Sequence, residues 1–183
     1  MSLARVAGSD RLRLFCALQL PDSTVGPVRR WQERELHSGR IVPPENLHFT
    51  LAFLGFQAAA DVGAIGAALR DAAGEAGGLR LVCRGYRETR SVGMLVFDDE
   101  SGRAGALAGR LHGALEELGL YRREARAWLP HLTVLRFRER PRLEPRPPEL
   151  GEIVPSDAAV FISRLRPGGA QYEILESVPL GGR

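Results

Sequence analysis

Apolar and polar positions in the first third of the chain follow a strand period, then a helix period, then a strand period again. Residues 11–20 begin with alternation and become almost wholly apolar, which predicts a strand covered on both faces. The next apolar positions recur at helical spacing up to about His37, and a glycine follows at position 39. Paired prolines then favour extended backbone, which leads into a second predicted strand over residues 47–55.

The remaining chain alternates between the same two periods. The elements that it predicts, in order, are a helix over 61–76, strands over 79–86 and 91–98, a helix from 101 to about 118, a strand within 128–137 and a closing hairpin of 158–165 with 170–180. Residues 138–150 are broken by proline and rich in arginine, so we expect a surface loop there.

One arrangement therefore occurs twice in the chain: a strand, a helix and a second strand. The two strands begin near positions 11 and 47 in the first copy, and near positions 91 and 129 in the second. This pattern predicts a duplicated α+β unit within a single domain over residues 1–183. An approximate two-fold axis between two such lobes would place their second strands side by side.

The composition restricts the class of protein further. The 183 residues are 44% apolar, which is enough for a real core in one domain. All 25 basic residues are arginine, and 22 acidic residues leave a net charge of +3, which permits an anionic ligand without demanding a nucleic-acid-coating protein. Cys16 and Cys83 lie in apolar runs, as buried thiols do. The chain lacks a run of about 18 apolar residues. Its first ten residues lack the apolar core of a signal peptide. We therefore expect a cytoplasmic protein without membrane association.

Two of the four histidines lie in nearly identical settings. The chain reads NLHFTL around His48 and LPHLTV around His131, with Thr50 and Thr133 two residues after each histidine. On a strand, a histidine and the threonine two residues later point the same way, about 6.6 Å apart. If both strands flank one cleft, two imidazoles and two hydroxyls converge there.

This set of groups suits phosphodiester chemistry without a metal ion. Opening a cyclic phosphate needs a base that takes a proton from water and an acid that protonates the departing oxygen. Imidazole titrates near neutral pH, so one histidine can act as each, and each proton transfer is typically worth about 10²–10⁴ in rate. Threonine hydroxyls can donate to the non-bridging oxygens where negative charge develops.

A structural role and two other kinds of site compete with this hypothesis. A single histidine beside apolar residues is most often structural, but the recurrence of the motif argues against that. If the two histidines bound zinc, further ligands would be needed, but neither motif has a cysteine or a carboxylate at ligand spacing. A serine triad would need a Gly-x-Ser-x-Gly elbow, which the sequence lacks. His37 and His112 lie in predicted helices without threonine partners, and we expect both to face solvent.

The arginines near and after the second motif either contact the cleft or face solvent. Arg136 follows His131 by five positions, so strict alternation directs it away from the histidine, and a role in the cleft requires a twist or a bulge. Four arginines of the loop are expected to be solvated, with a basic rim that attracts RNA phosphates as the alternative: Arg138, Arg140, Arg142 and Arg146.

Several segments together resemble a known family. LFCALQLP, PPENLHFTLAFLG, PHLTVLRF and YEILESVPL, with the paired His-x-Thr motifs, are similar to the two-histidine (2H) phosphoesterase superfamily. Within it, they look most like the RNA 2′,3′-cyclic phosphodiesterases, also called 2′-5′ RNA ligase-like proteins. The similarity runs from about position 12 to position 180. The central hairpin is only loosely like that of the family, and the loop at 138–150 is peculiar to this chain.

The resemblance implies a bilobed α+β fold, in which two lobes of antiparallel sheet plus helices, related by a pseudo-two-fold axis, surround a central cleft. It implies hydrolysis of RNA 2′,3′-cyclic phosphate ends to 2′-phosphomonoesters, without a metal or another cofactor. By position, His48 becomes the proton donor and His131 the proton acceptor, Thr50 and Thr133 bind the phosphate, and Arg136 helps to hold the RNA end.

Two other functions stay open at this level. The same chemistry could serve a small cyclic phosphate or a 2′-5′ linkage, or the fold could bind RNA ends with little catalysis. We expect a monomer that needs no obligate protein partner.

Overall fold

The strands and helices follow the predicted order along the chain. The computed structural model describes residues 10–181; residues 1–9, on which the expectation about a signal peptide largely rests, and residues 182–183 lie outside it. The elements are β1 (Arg11–Gln19), α1 (Asp22–Glu35), β2 (Arg40–Ile41), β3 (His48–Ala58), α2 (Val62–Gly74), β4 (Leu81–Glu88), β5 (Val92–Asp99), α3 (Arg103–Glu117), β6 (His131–Arg136), β7 (Glu152–Ile153), β8 (Asp157–Arg166) and β9 (Gly169–Pro179). Short 3-10 turns at Pro44–Asn46 and Ala59–Asp61 precede β3 and α2.

All the strands of the described chain join one antiparallel sheet. The order across it is β7-β4-β5-β6-β3-β1-β8-β9, and β2 pairs with β6. The central neighbours β6 and β3 are the two motif strands, and the unit β1-α1-β3 on one side matches β5-α3-β6 on the other. The predicted α+β fold with two lobes related by a pseudo-two-fold axis is therefore confirmed.

The main core lies on one face of the sheet, under the helices. Trp31 of α1, Phe49 of β3 and Phe97 of β5 are almost completely buried, and the rings of Phe49 and Phe97 meet edge to face with centroids 5.0 Å apart. Burying each such side chain contributes about 1.5–3 kcal/mol. A smaller apolar cluster, which includes Phe15 and Phe161, lies on the opposite face. The motif strands are thus anchored from behind while their other face stays open.

β-Bulges interrupt both motif strands directly after the threonine. In β3, Thr50 pairs with Ala17 and Ala52 with Cys16, so Leu51 is an extra residue. In β6, Thr133 pairs with Met94 and Leu135 with Gly93, so Val134 is the extra residue. A bulge reverses the faces to which the following side chains point.

Two of the expectations about histidines need correction. Helix α1 ends at Glu35, so the exposed His37 follows the helix instead of lying in it. His112 was expected to face solvent, and that prediction is wrong, because the side chain is buried. It lies on the apolar stripe of α3 with Ala108, Leu111 and Leu115.

The arginine-rich segment at 138–150 has neither helix nor strand, as predicted. It is nevertheless attached to the domain, because the carboxylate of Glu88 accepts hydrogen bonds from the backbone N–H groups of Arg142 and Leu143 and from Arg140 Nε. Trp31 Nε1 also donates to the carbonyl of Arg146, at 2.7 Å. The loop is therefore held against β4 and α1.

Two further sequence expectations concern thiols and membranes. Cys16 is a buried free thiol and Cys83 a partly buried one. Within residues 10–181, every helix is too short or too polar to cross a bilayer.

Candidate active site

A cleft of ≈790 Å³ opens on the face of the sheet opposite the helices. Four of the five predicted site residues line it: His48, Thr50, Thr133 and Arg136. His131 is not one of the lining residues, but it is near enough for its charge to act on His48. The fold therefore brings the two motifs to one place.

The motif strands meet at the apolar residue in the middle of each motif. Phe49 pairs with Leu132 in the antiparallel direction, and both side chains are fully buried. Because the strands run antiparallel, His48 lies across from Thr133 and Thr50 lies across from His131. All four of these side chains point to the opposite, open face of the sheet. Diagonal neighbours on such a face lie about 7–8 Å apart, which leaves room for a phosphate group between the two imidazoles.

The backbone sets the same orientation for both imidazoles. His48 Nδ1 donates to the carbonyl of Asn46 at 2.8 Å, and His131 Nδ1 donates to the carbonyl of Leu129 at 2.9 Å. In each motif the acceptor is two residues before the histidine. A neutral imidazole held in this way carries its lone pair on Nε2. At His48, that nitrogen lies 3.0 Å from Thr50 Oγ1, whose hydroxyl can donate to it.

The surroundings of the two histidines differ. Aromatic rings enclose His48: Phe15, Tyr172 and Phe161 have centroids 4.8, 5.4 and 6.1 Å from its own. Burial lowers the pKa of His48 to about 4, the hydrogen bond to Asn46 opposes this, and the positive charges of His131 and Arg136 lower the pKa further. His48 is thus neutral in the free protein at neutral pH.

Arg136 reaches the cleft because of the bulge at Val134. Without the extra residue it would lie on the buried face with Leu132, whereas it is exposed and lines the cleft with Thr133. Three more arginines line the same cleft: Arg13, Arg40 and Arg166. None of these four forms an ion pair with a carboxylate of residues 10–181. The cleft therefore offers positive charge to an anion.

Side chains from the helices bind the carbonyls of the two bulges. His112 Nε2 of α3 donates to Leu51 O at 2.7 Å, and Gln32 Nε2 of α1 donates to Val134 O at 2.8 Å. Each helix precedes one motif in the chain and supports the bulge of the other. Trp128 Nε1, just before the second motif, also donates to Thr50 O at 2.9 Å. These contacts hold the backbone of Thr50 and of the two bulge residues, each of which directly follows a motif threonine.

Several cleft residues were missed by sequence reasoning. Phe15, which lines the cleft, belonged to a strand predicted to be covered on both faces, and Phe161, which lies behind it, belonged to the predicted closing hairpin. The sequence carries no signal that places either ring beside His48. Asn46 orients His48 with its backbone carbonyl and donates through Nδ2 to Ala170 O at 2.8 Å. That tie was not foreseeable because it joins positions 124 residues apart. The loop arginines, by contrast, do not line the cleft.

A group of three or more His, Cys, Asp and Glu side chains suited to a metal ion is absent from the described part of the chain.

A family model of the 2′-5′ RNA ligase superfamily matches residues 20–166, which is 147 of the 183 residues. The chain belongs to this superfamily. Both motifs and Arg136 fall inside the matched range. This assignment, together with the paired histidines, identifies a 2H phosphoesterase, in agreement with the resemblance that its motifs carry. A search of curated proteins found no match.

Solved structures of other proteins have a similar fold. TT0787 of Thermus thermophilus is 28% identical, with a TM-score of 0.80 over 94% of this chain and 100% of that one. E. coli LigT complexed with NADP+ is 25% identical, with a TM-score of 0.79 over 94% and 99%. E. coli LigT complexed with 3′-AMP is 23% identical, with a TM-score of 0.79 over 93% and 99%. The 2H phosphoesterase is thus similar to these proteins over nearly its whole length.

Proposed function

We propose that this 2H phosphoesterase hydrolyses RNA 2′,3′-cyclic phosphate ends to 2′-phosphomonoesters without a metal ion. The observation that carries the proposal is the antiparallel meeting of the motifs at Phe49 and Leu132, which sets His48, Thr50 and Thr133 in one arginine-lined cleft and His131 on the strand beside them. E. coli LigT has been solved with NADP+ and with ATP, both of which bear phosphates, and we infer a phosphate-bearing nucleotide for this cleft too.

In the proposed reaction, His131 Nε2 takes a proton from water while the water oxygen attacks phosphorus. The bond between phosphorus and the ribose 3′ oxygen breaks, and His48 Nε2 gives its proton to that oxygen. The product carries a 2′-phosphate and a 3′-hydroxyl, and one proton has passed from water to the leaving oxygen. Because microscopic reversal exchanges donor and acceptor, the same site could also join ends through a 2′-5′ bond.

The neutral state of His48 in the free protein sets a condition on its role as donor. Its Nε2 must gain a proton when the substrate binds, and the phosphate anion favours this because a nearby negative charge raises the pKa of an imidazole. The Thr50 hydroxyl can then rotate from Nε2 to a non-bridging oxygen, and Thr133 supplies a second donor. Arg136 adds positive charge beside the phosphate.

The test is the identity of the product. An oligoribonucleotide ending in a 2′,3′-cyclic phosphate is incubated with the protein in EDTA, and the product is analysed by mass spectrometry and by its resistance to a 3′-phosphatase. We expect a 2′-phosphate. A 3′-phosphate product would overturn the proposed regiochemistry, and turnover only after metal addition would overturn the metal-free mechanism.

Variants separate catalysis from binding. His48→Ala and His131→Ala should each lower kcat by about 10² or more, the usual size of one proton transfer. His37→Ala is the matched control, because that histidine is exposed and does not line the cleft. Tight binding of the RNA end without turnover in the wild-type protein would favour the alternative of an RNA-end-binding protein. Equal turnover of a mononucleotide and a longer RNA would favour a small-molecule substrate.

A further inference from the structure

Strands β3 and β6, which carry the two motifs, are in direct register at a single position. Of the residues that the structure describes, only Phe49 and Leu132 pair across these strands. Both strands bulge directly after the motif threonine, and Pro130, just before His131, has no backbone N–H with which to extend the pairing. One pair of residues does not by itself fix the angle between two strands. The separation of the motifs therefore depends on further contacts beside that pair.

Trp128 makes such a contact between the motifs. Its indole Nε1 donates to the carbonyl of Thr50 in the first motif, at 2.9 Å, and it lies three positions before His131 of the second motif. Its ring is partly buried against the main core, on the helix side of the sheet, and is not one of the side chains that line the cleft. Trp128 therefore holds the backbone of the first motif from the segment that leads into the second.

The residue after Trp128 orients the second histidine. Leu129 O accepts the hydrogen bond from His131 Nδ1 at 2.9 Å. The side chain of Leu129 is 37% exposed, so its own packing holds this carbonyl only weakly. Its two neighbours are anchored instead: Trp128 by its indole, and Pro130 by its carbonyl, which accepts from the Phe97 N–H at 3.0 Å. The position of the orienting carbonyl is thus set by the residues that flank it.

The first motif is anchored by a side chain of the orienting residue itself. There the orienting carbonyl belongs to Asn46, and Asn46 Nδ2 donates to Ala170 O of β9 at 2.8 Å. That bond runs from the motif to an outer hairpin. The corresponding bond before the second motif, from Trp128, runs to the first motif. A displacement of Trp128 would therefore move the two motifs relative to each other.

We propose that Trp128 is a positioning residue, whose hydrogen bond to Thr50 sets His131 at the distance and angle from the first motif that proton transfer requires. The inference rests on the proposed function, in which His48 and His131 act on one phosphate from two strands. Reacting atoms must lie about 3–3.5 Å apart, and an error of about 1 Å costs on the order of 10² in rate. The hydrogen bond of Trp128 therefore acts on kcat. It acts little on KM, because the arginines that attract the substrate lie elsewhere in the cleft.

The two tryptophans of the chain allow a matched comparison. Trp31 Nε1 also donates to a backbone carbonyl, that of Arg146 in the arginine-rich loop, at 2.7 Å. Trp31→Phe and Trp128→Phe each remove one indole hydrogen bond and keep an aromatic ring. On a nucleoside 2′,3′-cyclic phosphate, Trp128→Phe should lower kcat about tenfold to a hundredfold and leave KM within about twofold of the wild-type value. Trp31→Phe should keep the wild-type kcat, although its urea midpoint should fall at least as far, because Trp31 is only 1% exposed.

A third variant separates the hydrogen bond from the packing of the ring. Histidine Nε2 lies two bonds beyond Cγ, as tryptophan Nε1 does, and it can carry a proton. Trp128→His therefore restores the donor with less apolar surface, whereas Trp128→Phe keeps more apolar surface without the donor. We expect Trp128→His to retain the larger kcat of the two. The reverse order would show that the ring acts through packing and would overturn the inference.

Two further kinetic results would overturn the inference while leaving the proposed function intact. One is an equal loss of kcat in Trp31→Phe and Trp128→Phe, which indicates a general effect of lost stability. The other is an unchanged kcat in Trp128→Phe, whether or not KM rises.

A measurement without turnover keeps the two proposals separable. His131 Nδ1 donates to Leu129 O, so the neutral imidazole carries its proton on Nδ1, and its nitrogen-15 chemical shifts report this tautomer. Trp128→Phe should introduce the Nε2–H tautomer at His131, and Trp31→Phe should not. If this difference is seen but the wild-type protein hydrolyses no cyclic phosphate, the proposed function fails and the positioning of His131 by Trp128 stands. If the wild-type protein hydrolyses the cyclic phosphate and Trp128→Phe changes neither kcat nor the tautomer, the proposed function stands and the inference is wrong.

Discussion

His112 Nε2 donates a hydrogen bond of 2.7 Å to the carbonyl of Leu51, the extra residue that follows the first motif. Gln32 makes the equivalent contact at Val134, the extra residue that follows the second motif. Leu51 and Val134 are both buried, so their carbonyls need partners inside the protein. The two bulges are therefore held by buried side chains, each from the helix that precedes the other motif.

Removing the donor at His112 should destabilise the protein. In His112→Leu, Leu51 O loses its side-chain partner, and an unsatisfied buried acceptor costs about 1–3 kcal/mol. Gln32→Leu removes the side-chain donor to Val134 O and to Val42 O. It should nevertheless cost less, because Val134 O keeps its hydrogen bond from the Val42 N–H at 3.0 Å and because the buried Gln32 Oε1, which has no partner in the described chain, is removed as well. Urea denaturation measures both losses, and His37→Leu is the control at an exposed histidine. Equal midpoints for His112→Leu and the wild-type protein would show that this hydrogen bond does not hold the bulge.

The pKa of His48 should depend on whether an anion occupies the cleft. In the free protein it is lowered to about 4, chiefly by burial, and a bound phosphate anion should raise it. An NMR titration of the His48 imidazole, assigned by its absence in His48→Asn, measures the midpoint with and without a nucleoside 2′-phosphate. A midpoint that stays unchanged when the nucleotide binds would contradict a phosphate site at this histidine.

The same pKa shift predicts the direction of a stability change with pH. A histidine whose pKa is about 6.5 in the unfolded chain and about 4 in the folded protein binds more protons when the protein is unfolded. Its contribution to the free energy of unfolding therefore falls as the pH decreases from about 6.5 to about 4, by at most about 3 kcal/mol. His48→Asn should lose less stability over this pH interval than the wild-type protein does. Parallel losses would mean that other groups dominate the acid transition.

Glu88 should be required for the stability of the arginine-rich loop but not for chemistry. Its side chain is only 2% exposed, and it accepts hydrogen bonds from Arg140, from the N–H groups of Arg142 and Leu143, and from Tyr86 Oη. Burial alone would raise its pKa, but these bonds together lower it. Glu88→Gln replaces an acceptor oxygen with a donor, so we expect a loss of about 2–3 kcal/mol in the free energy of unfolding.

The loop variant needs a matched control in the same segment. Glu149→Gln changes an exposed carboxylate of the loop and should be neutral. Because Glu88 has a lowered pKa, its contribution is present at neutral pH and is lost as the pH falls through the folded-state pKa. The difference between wild-type and Glu88→Gln stability should therefore shrink in acid. A large fall in kcat at a temperature where Glu88→Gln remains folded would show that the loop also serves the cleft.

Gly39→Ala should disturb the position of Arg136. Gly39 has φ +89°, and a Cβ there would lie 2.8 Å from the carbonyl oxygen of Arg136. The collision moves the backbone that carries the arginine, so KM for the cyclic phosphate substrate should rise along with a loss of stability. Gly119→Ala is the control for φ strain alone, because Gly119 has φ +70° and no atom within 4 Å of an added Cβ. If both variants lose stability equally and KM stays unchanged, the contact with Arg136 has no functional effect.

The sequence by itself determined the elements and the identity of the catalytic candidates. Alternating and helical periods are local properties, so β1, α1, β3 and their counterparts β5, α3 and β6 were predicted close to their observed bounds. The repetition of His-x-Thr predicted that positions 48 and 131 belong together, and the sheet places their strands side by side. The end of α1 was predicted too far along the chain, because its last turn carries no strong stop signal before Gly39.

Only the tertiary structure decided the bulges and the surroundings of the motifs. A bulge is a mismatch between two paired strands, and its position depends on a register between segments such as 11–19 and 48–58 that no local pattern records. The face to which Arg136 points follows from such a bulge. The burial of His112 arises in the same way, since it required α3 to pack behind β3. The enclosure of His48 by Phe15, Phe161 and Tyr172, and hence its lowered pKa, results from the meeting of four separate strands in space.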